Sequence, residues 1–170
     1  MLKKQGKNRY LKLIYIYMSI LDSTDLAILR AIQSNARLTT KEIATMVHLS
    51  STPVFERIKR MEREGIIKQY VTILDAEKLN RGFTVFTSVK LRHCTRQAAQ
   101  DFIQRVENLR EVTECYNVSG VNDYLLKVNC STMKDYQSFV LEVLGTCESV
   151  GHIESAFVME EIKHEYSVIP

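Results

Sequence analysis

Four cations crowd one short stretch of this chain: Arg57, Lys59, Arg60 and Arg63, between Ser51 and Gly65. At that density they suit a polyanion. Arg presents a fork of donors that matches phosphate, and Lys a compact point charge. A second constellation, Gly120-Val121-Asn122-Asp123, joins the residue types that tighten a turn: a glycine free to take positive φ and two Asx side chains that bond nearby backbone. The other reactive groups are scattered. Cys94, Cys115, Cys130 and Cys147 include no Cys-x-x-Cys pair. That argues against a zinc site or a thioredoxin-like motif and for buried free thiols in a cytosolic chain. His48, His93, His152 and His164 lack ligand spacing and fall in different elements. The expectation is therefore no metal, no cofactor and no catalytic residue, in a cytoplasmic protein.

The basic stretch needs a rigid support, and the residues before it supply one. Asp22 or Ser23 caps a first helix, with Asp25 in the first turn, where the helix dipole favours a carboxylate. Leu26, Ile28, Leu29 and Ile32 keep helical spacing to about residue 34. Thr39 and Glu42 form a capping box for a second helix, whose inner face is Ile43, Ala44 and Val47. His48 and Leu49 make a tight turn. Ser50 or Ser51 caps a third helix, Pro53 is tolerated in its first turn, and Gly65 closes it. At about 100° per residue, Val54, Ile58 and Met61 share one face, with Phe55 beside them. Thr52, Glu56, Lys59, Arg60 and Arg63 point the other way, and Arg57 and Glu64 flank the apolar stripe. Residues 66–74 alternate enough to predict a strand pair or wing. Three short helices with a tight turn before a basic third helix make a helix-turn-helix, which sets that helix into the major groove of double-stranded DNA. A basic helix alone fits a plain solvated face equally well. The three-helix order and the charge distribution favour DNA.

That distribution is uneven. Residues 1–80 hold 14 Lys and Arg against 8 Asp and Glu, while residues 81–170 hold 9 against 12. A basic half joined to an acidic one suggests that only the first meets a polyanion. With 170 residues, 45% hydrophobic, and only 6 Gly and 2 Pro, the chain is neither fibrous nor wholly disordered. No run of about 18 apolar residues occurs, so no membrane span is expected. The first 17 residues imitate a signal peptide, but their apolar run is short and no small-x-small cleavage site follows. They are read as an extension, with Met18 as the natural start; the alternative is a basic arm that touches nucleic acid.

The second half alternates strands and helices. Phe83–Leu91 reads as a strand, Thr95 caps a helix carrying Ala98, Phe102, Ile103 and Val106, and residues 112–119 form a second strand. The 120–123 turn leads into a strand over 124–128. Ser131 or Thr132 caps a helix with Tyr136, Phe139, Val140, Val143 and Leu144 inward, and residues 153–162 form the last strand. This βαββαβ order predicts a ferredoxin-like domain, an antiparallel sheet with both helices on one face. Strands this apolar suggest that a second copy covers the other face. The fold class is therefore α+β: a winged helix-turn-helix over residues 18–80 and a ferredoxin-like domain over 81–170.

Four stretches carry a family resemblance: LDSTDLAILRAIQSNARLTTKEIA, LSSTPVFERIKRMEREGIIKQYVTILD, VTECYNVSGVNDYLLKV and IKHEYSVIP. In this order, over residues 20–170, the chain resembles the Lrp/AsnC feast/famine transcriptional regulators. The resemblance implies a sequence-specific DNA-binding regulator that responds to an amino acid. It implies a homodimer that assembles further, often to an octamer. It places Ser51, Thr52, Arg57 and Lys59 in the recognition-helix pattern, with Arg60 and Arg63 on the same basic helix. It makes Gly120, Val121, Asn122 and Asp123 the effector loop, where turn amides suit a carboxylate and Asp123 an ammonium group; a plain hairpin turn is the alternative. His48 replaces the family's usual turn glycine, and Val121-Asn122 replace an acidic-then-aromatic pair. An enzyme is the competing class, since haem-pathway decarboxylases share the ferredoxin-like fold. It would have little use for a basic third helix. A stand-alone effector-binding module would lack the N-terminal helices.

Overall fold

The computed structural model describes residues 21–166. Those up to Thr72, with Glu165 and Tyr166, form one compact unit, and Ile73–His164 a second.

The first unit holds α1 (Ser23–Ser34), α2 (Thr40–Met46) and α3 (Ser51–Arg63). Its core is Ile28, Ile43, Ala44, Val54, Ile58 and Met61, with Leu21, Leu38, Val47, Ile66 and Ile67 packed against it. The Thr39–Glu42 capping box is formed in both directions, with Thr39 N–H donating to Glu42 Oε2 at 2.7 Å and Glu42 N–H to Thr39 Oγ1 at 3.2 Å. His48 takes φ of 56° in the turn between α2 and α3, a left-handed conformation that His tolerates better than branched residues. Gly65, at φ 72°, ends α3 in a Schellman motif: Ile66 N–H donates to Met61 O at 2.9 Å and Gly65 N–H to Glu62 O at 3.0 Å.

The strand pair expected over residues 66–74 is not formed. Ile66 and Ile67 pack on the helical core, but no neighbouring strand within the described chain offers a ladder, and Tyr70, Val71, Ile73 and Leu74 stand exposed. A strand cannot exist without a partner for its backbone groups.

The second unit runs β1 (Phe83–Leu91), α4 (Arg96–Val106), β2 (Val112–Asn117), β3 (Tyr124–Cys130), α5 (Met133–Ser138) with a wider π turn over Phe139–Leu144, and β4 (Val150–Phe157). The sheet order is β2-β3-β1-β4, and every neighbouring pair is antiparallel. Val85, Val89, Leu126, Val128, Phe102, Phe139 and Leu144 build the core between sheet and helices. Of the apolar residues that α4 carries, Phe102 and Val106 are buried, while Ile103 is 38% exposed. The last strand starts and stops earlier than 153–162. β4 pairs with β1 only to Val85↔Phe157, and Val158 N–H makes the last bond, to Thr84 O.

The other sheet face is less apolar than the sequence suggests. Phe86, Leu125 and Tyr116 share it with Lys127 and Glu114, which form an ion pair at 3.3 Å. Tyr116 OH also donates to Glu114, at 2.7 Å.

Candidate DNA-reading helix and effector loop

Asp25 is the pivot of the helical unit. It is fully buried, yet every demand of its charge is met. Its carboxylate accepts the amide of Asp22 at 3.1 Å, Arg57 Nη1 at 2.8 Å and Arg60 Nη2 at 2.6 Å. The Asp22 carboxylate in turn caps α1 through the Asp25 amide at 2.8 Å and accepts Arg57 Nη1 at 2.7 Å. A carboxylate survives burial only when donors fill its lone pairs and an opposite charge offsets lost hydration. The Asp25 amide first, and Arg57 second, hold the Asp22 carboxyl below its ordinary range. Hydrogen bonds to Asp25 and then Asp22 push Arg57 above its own.

This network reorders the helix assigned to DNA. The sequence gives both Arg57 and Arg60 to the nucleic acid and points Arg60 outward. In the structure both guanidinium groups turn to α1, and Arg60 Nε is buried with no partner among the described residues. Ser51, Thr52, Lys59 and Arg63 are exposed, as are Phe55 and Glu56. Lys59 binds Glu62 at 2.8 Å, and its Nζ lies 5.7 Å from the centre of the Phe55 ring. Tyr70 OH also donates to Glu62, at 3.0 Å. Burial first, then this bond, pushes the phenol up to about 12. Ser50 is the N-cap of α3, but its hydroxyl makes no capping bond.

Asp22 and Asp25 are the residues that the sequence reading missed as partners of α3. A signal was present. Asp25, Ile28 and Ile32 share helical spacing, so the carboxylate stands on the apolar stripe, where only a cationic partner makes it tolerable.

The 120–123 loop joins β2 to β3. Gly120 has φ of 127°, which a side chain would strain. Val118 N–H and Asn117 Nδ2 both donate to Asp123 O at 2.9 Å, and Asp123 N–H donates to Val89 O at 2.9 Å. The Asp123 carboxylate accepts the Leu91 amide through Oδ2 at 2.8 Å. The hairpin alternative thus describes part of its work, although the amide it holds belongs to β1 and not to its own turn. Among the described residues, the amides of Gly120, Val121 and Asn122 meet no acceptor, and Val121 is 80% exposed. Gly120 through Asp123 therefore sit together, at the start of β3, with free donors and one unspent carboxylate oxygen.

Comparison with known families settles what this pair of units is. The family described as Lrp/AsnC ligand binding domain matches residues 84–168, and winged helix-turn-helix DNA-binding matches 21–68. The chain belongs to the Lrp/AsnC family. As a member it is a DNA-binding transcriptional regulator. It is 35% identical over 145 residues to the Bkd operon transcriptional regulator of Pseudomonas aeruginosa, across 85% of this chain and 95% of that one. It is 32% identical over 149 residues to the DNA-binding transcriptional activator DecR of Escherichia coli K12, across 88% and 98%. Among solved structures, a transcriptional regulator from Neisseria meningitidis in complex with L-methionine matches with a TM-score of 0.84 and 38% identity, over 87% of this chain and 96% of that one. No helix of the described residues is long and apolar enough to cross a membrane.

Proposed function

We propose that this Lrp/AsnC regulator reads operator DNA with the exposed face of α3 and adjusts that binding to a free amino acid held at the 120–123 loop. Residues 18–80 serve DNA, and 81–170 serve the effector and self-association. The observation that carries the first half is the Asp25 network. It fixes the roll of α3 so that Ser51, Thr52, Lys59 and Arg63 stay at the surface of the unit. Arg57 and Arg60 then support the interface from behind. The second half is supported by the free amides of Gly120, Val121 and Asn122, which suit a carboxylate, and by Asp123, whose unspent oxygen suits an ammonium group. The L-methionine complex of the Neisseria meningitidis relative supports an amino acid as the effector class. The loop is open surface in one chain, so a further copy completes the site, in a homodimer that assembles to a higher oligomer such as an octamer. The protein works in the cytoplasm without catalytic residues, metal or cofactor. The relatives are named as regulators, which supports this over the haem-pathway decarboxylase alternative.

Calorimetry of the full chain against the common amino acids, paired with operator binding in the presence of each, tests this reading. At least one amino acid is expected to give heat and to shift DNA affinity or assembly. Asp123→Asn should lose that response, because the amide oxygen can still accept the Leu91 N–H but carries no charge for an ammonium group. No heat with any amino acid, or a full response in Asp123→Asn, would contradict it. Sedimentation should give a dimer or larger; a monomer at micromolar concentration would contradict the assembly.

A further inference from the structure

Glu56 is the anomaly on α3. Thr52, Glu56, Lys59 and Arg63 are all exposed and follow one another at spacings of four, three and four residues, which places them on one ridge of the helix. Three of the four suit a polyanion. The fourth is a carboxylate, and it would face the strongest anionic field in the cell.

On an ordinary helix Glu56 would pair with a cation three or four residues on. Both candidates are present and both are taken. Lys59 is held by Glu62 at 2.8 Å, and Arg60 by Asp25 at 2.6 Å. Glu56 makes no hydrogen bond or ion pair with any described residue. Glu62 and the Asp25 network together leave this carboxylate unneutralised on the exposed ridge of α3.

A carboxylate at a DNA interface is repelled by phosphate and becomes favourable only where it accepts a hydrogen bond from a base. In the major groove the available amine donors are cytosine N4 and adenine N6. Adenine sets its N7 acceptor beside that donor, which repels the second carboxylate oxygen and suits an amide side chain instead. Cytosine's amine has an acceptor on one side only, the paired guanine O6, and its C5–H side leaves room for the second oxygen. Glu56 lies in the N-terminal half of α3, the part of a recognition helix that reaches base edges. We propose that Glu56 is a specificity-determining residue that reads one cytosine in each half-site through its N4 amine. This rests on the reading that α3 is the DNA-reading helix.

The test is selection of binding sites from random duplex DNA by the full-length protein, as wild type, Glu56→Gln, Glu56→Ala and a Lys59→Ala/Arg63→Ala control. Wild type is expected to prefer cytosine at one position per half-site by roughly 5- to 100-fold. Glu56→Gln should move that position towards adenine, whose N6 and N7 match an amide, and Glu56→Ala should leave it degenerate. The other positions should stay as they were. Tighter binding of Glu56→Ala to every sequence, with base preferences unchanged, would overturn the inference and make Glu56 only a phosphate-repelling group. Identical selections and affinities in wild type and both Glu56 variants would overturn it too. The control separates the two levels. If Lys59→Ala/Arg63→Ala also binds as wild type does, the DNA-reading role of α3 fails; if the control weakens while both Glu56 variants select the same sites as wild type, the role stands and the assignment of Glu56 fails.

Discussion

Asp25 in the helical unit and Asp123 in the α/β unit are both aspartates whose carboxylates anchor neighbouring structure. Asp25 is sealed from water and surrounded by two guanidinium groups and an amide. Asp123 is half-buried and holds a single neutral amide, that of Leu91, with one of its two oxygens. The first carboxylate is fully spent on structure. The second retains charge and reach for a ligand. Removing the first charge leaves a guanidinium without its partner, whereas removing the second leaves one backbone amide unmet.

Asp25→Ala should show the largest effect. It strands Arg60 and leaves Arg57 with Asp22 alone, and breaking a buried ion pair from one side costs about 3–5 kcal/mol. Urea unfolding should place the loss in the helical unit; a change under about 1 kcal/mol would make Asp25 no different from a surface acid. Arg57→Ala comes next. It should cost about 2 kcal/mol of stability, with DNA affinity falling only as far as the helix is loosened. An affinity loss with unchanged stability would return Arg57 to direct contact with DNA. Asp123→Ala should cost about 1–2 kcal/mol by leaving the Leu91 amide unmet, and Asp123→Asn less than about 1 kcal/mol. Equal losses in the two variants would mean that Asp123 acts through charge alone.

The smallest effect concerns acid. Asp22 and Glu42 are both held below their ordinary values, each chiefly by the backbone amide it accepts in a capping box. A lowered carboxyl pKa contributes stability that is complete above the unfolded value and is lost as pH falls through the folded one. Thermal melts should therefore decline modestly below about pH 4, and Asp22→Asn and Glu42→Gln should flatten that decline. An unchanged slope in both would remove the capping boxes from the account.

The helices were legible because their signals are local. The Thr39–Glu42 box, the Gly65 stop and the Val54–Ile58–Met61 stripe all lie within a few residues of what they control. The four strands were legible as short runs between turn and cap signals, the first rich in β-branched and aromatic residues, although the last lies at Val150–Phe157 and not 153–162. The 66–74 segment alternates, but a ladder needs a neighbour that the described chain does not offer. The partners of Arg57 and Arg60 lie 32 and 35 residues away on α1, beyond the reach of any periodicity, and so the outward face of α3 was drawn with one cation too many. In the 120–123 loop the sequence identified the turn. That Asp123 would hold Leu91, 32 positions upstream, depends on β1 and β3 lying side by side.

On the proposed reading, DNA meets the exposed ridge of α3 while Arg57 and Arg60 stay bonded to α1, about 30% exposed each. The most direct measurement is operator binding of wild type and Lys59→Ala/Arg63→Ala across a range of salt concentrations, with a melting curve for each. Binding should weaken, with a salt slope reduced by about 4, since a dimer loses four cations and each phosphate contact contributes about 0.9, and the melting temperature should be unchanged. The same affinity and slope in a variant that melts like wild type would contradict it.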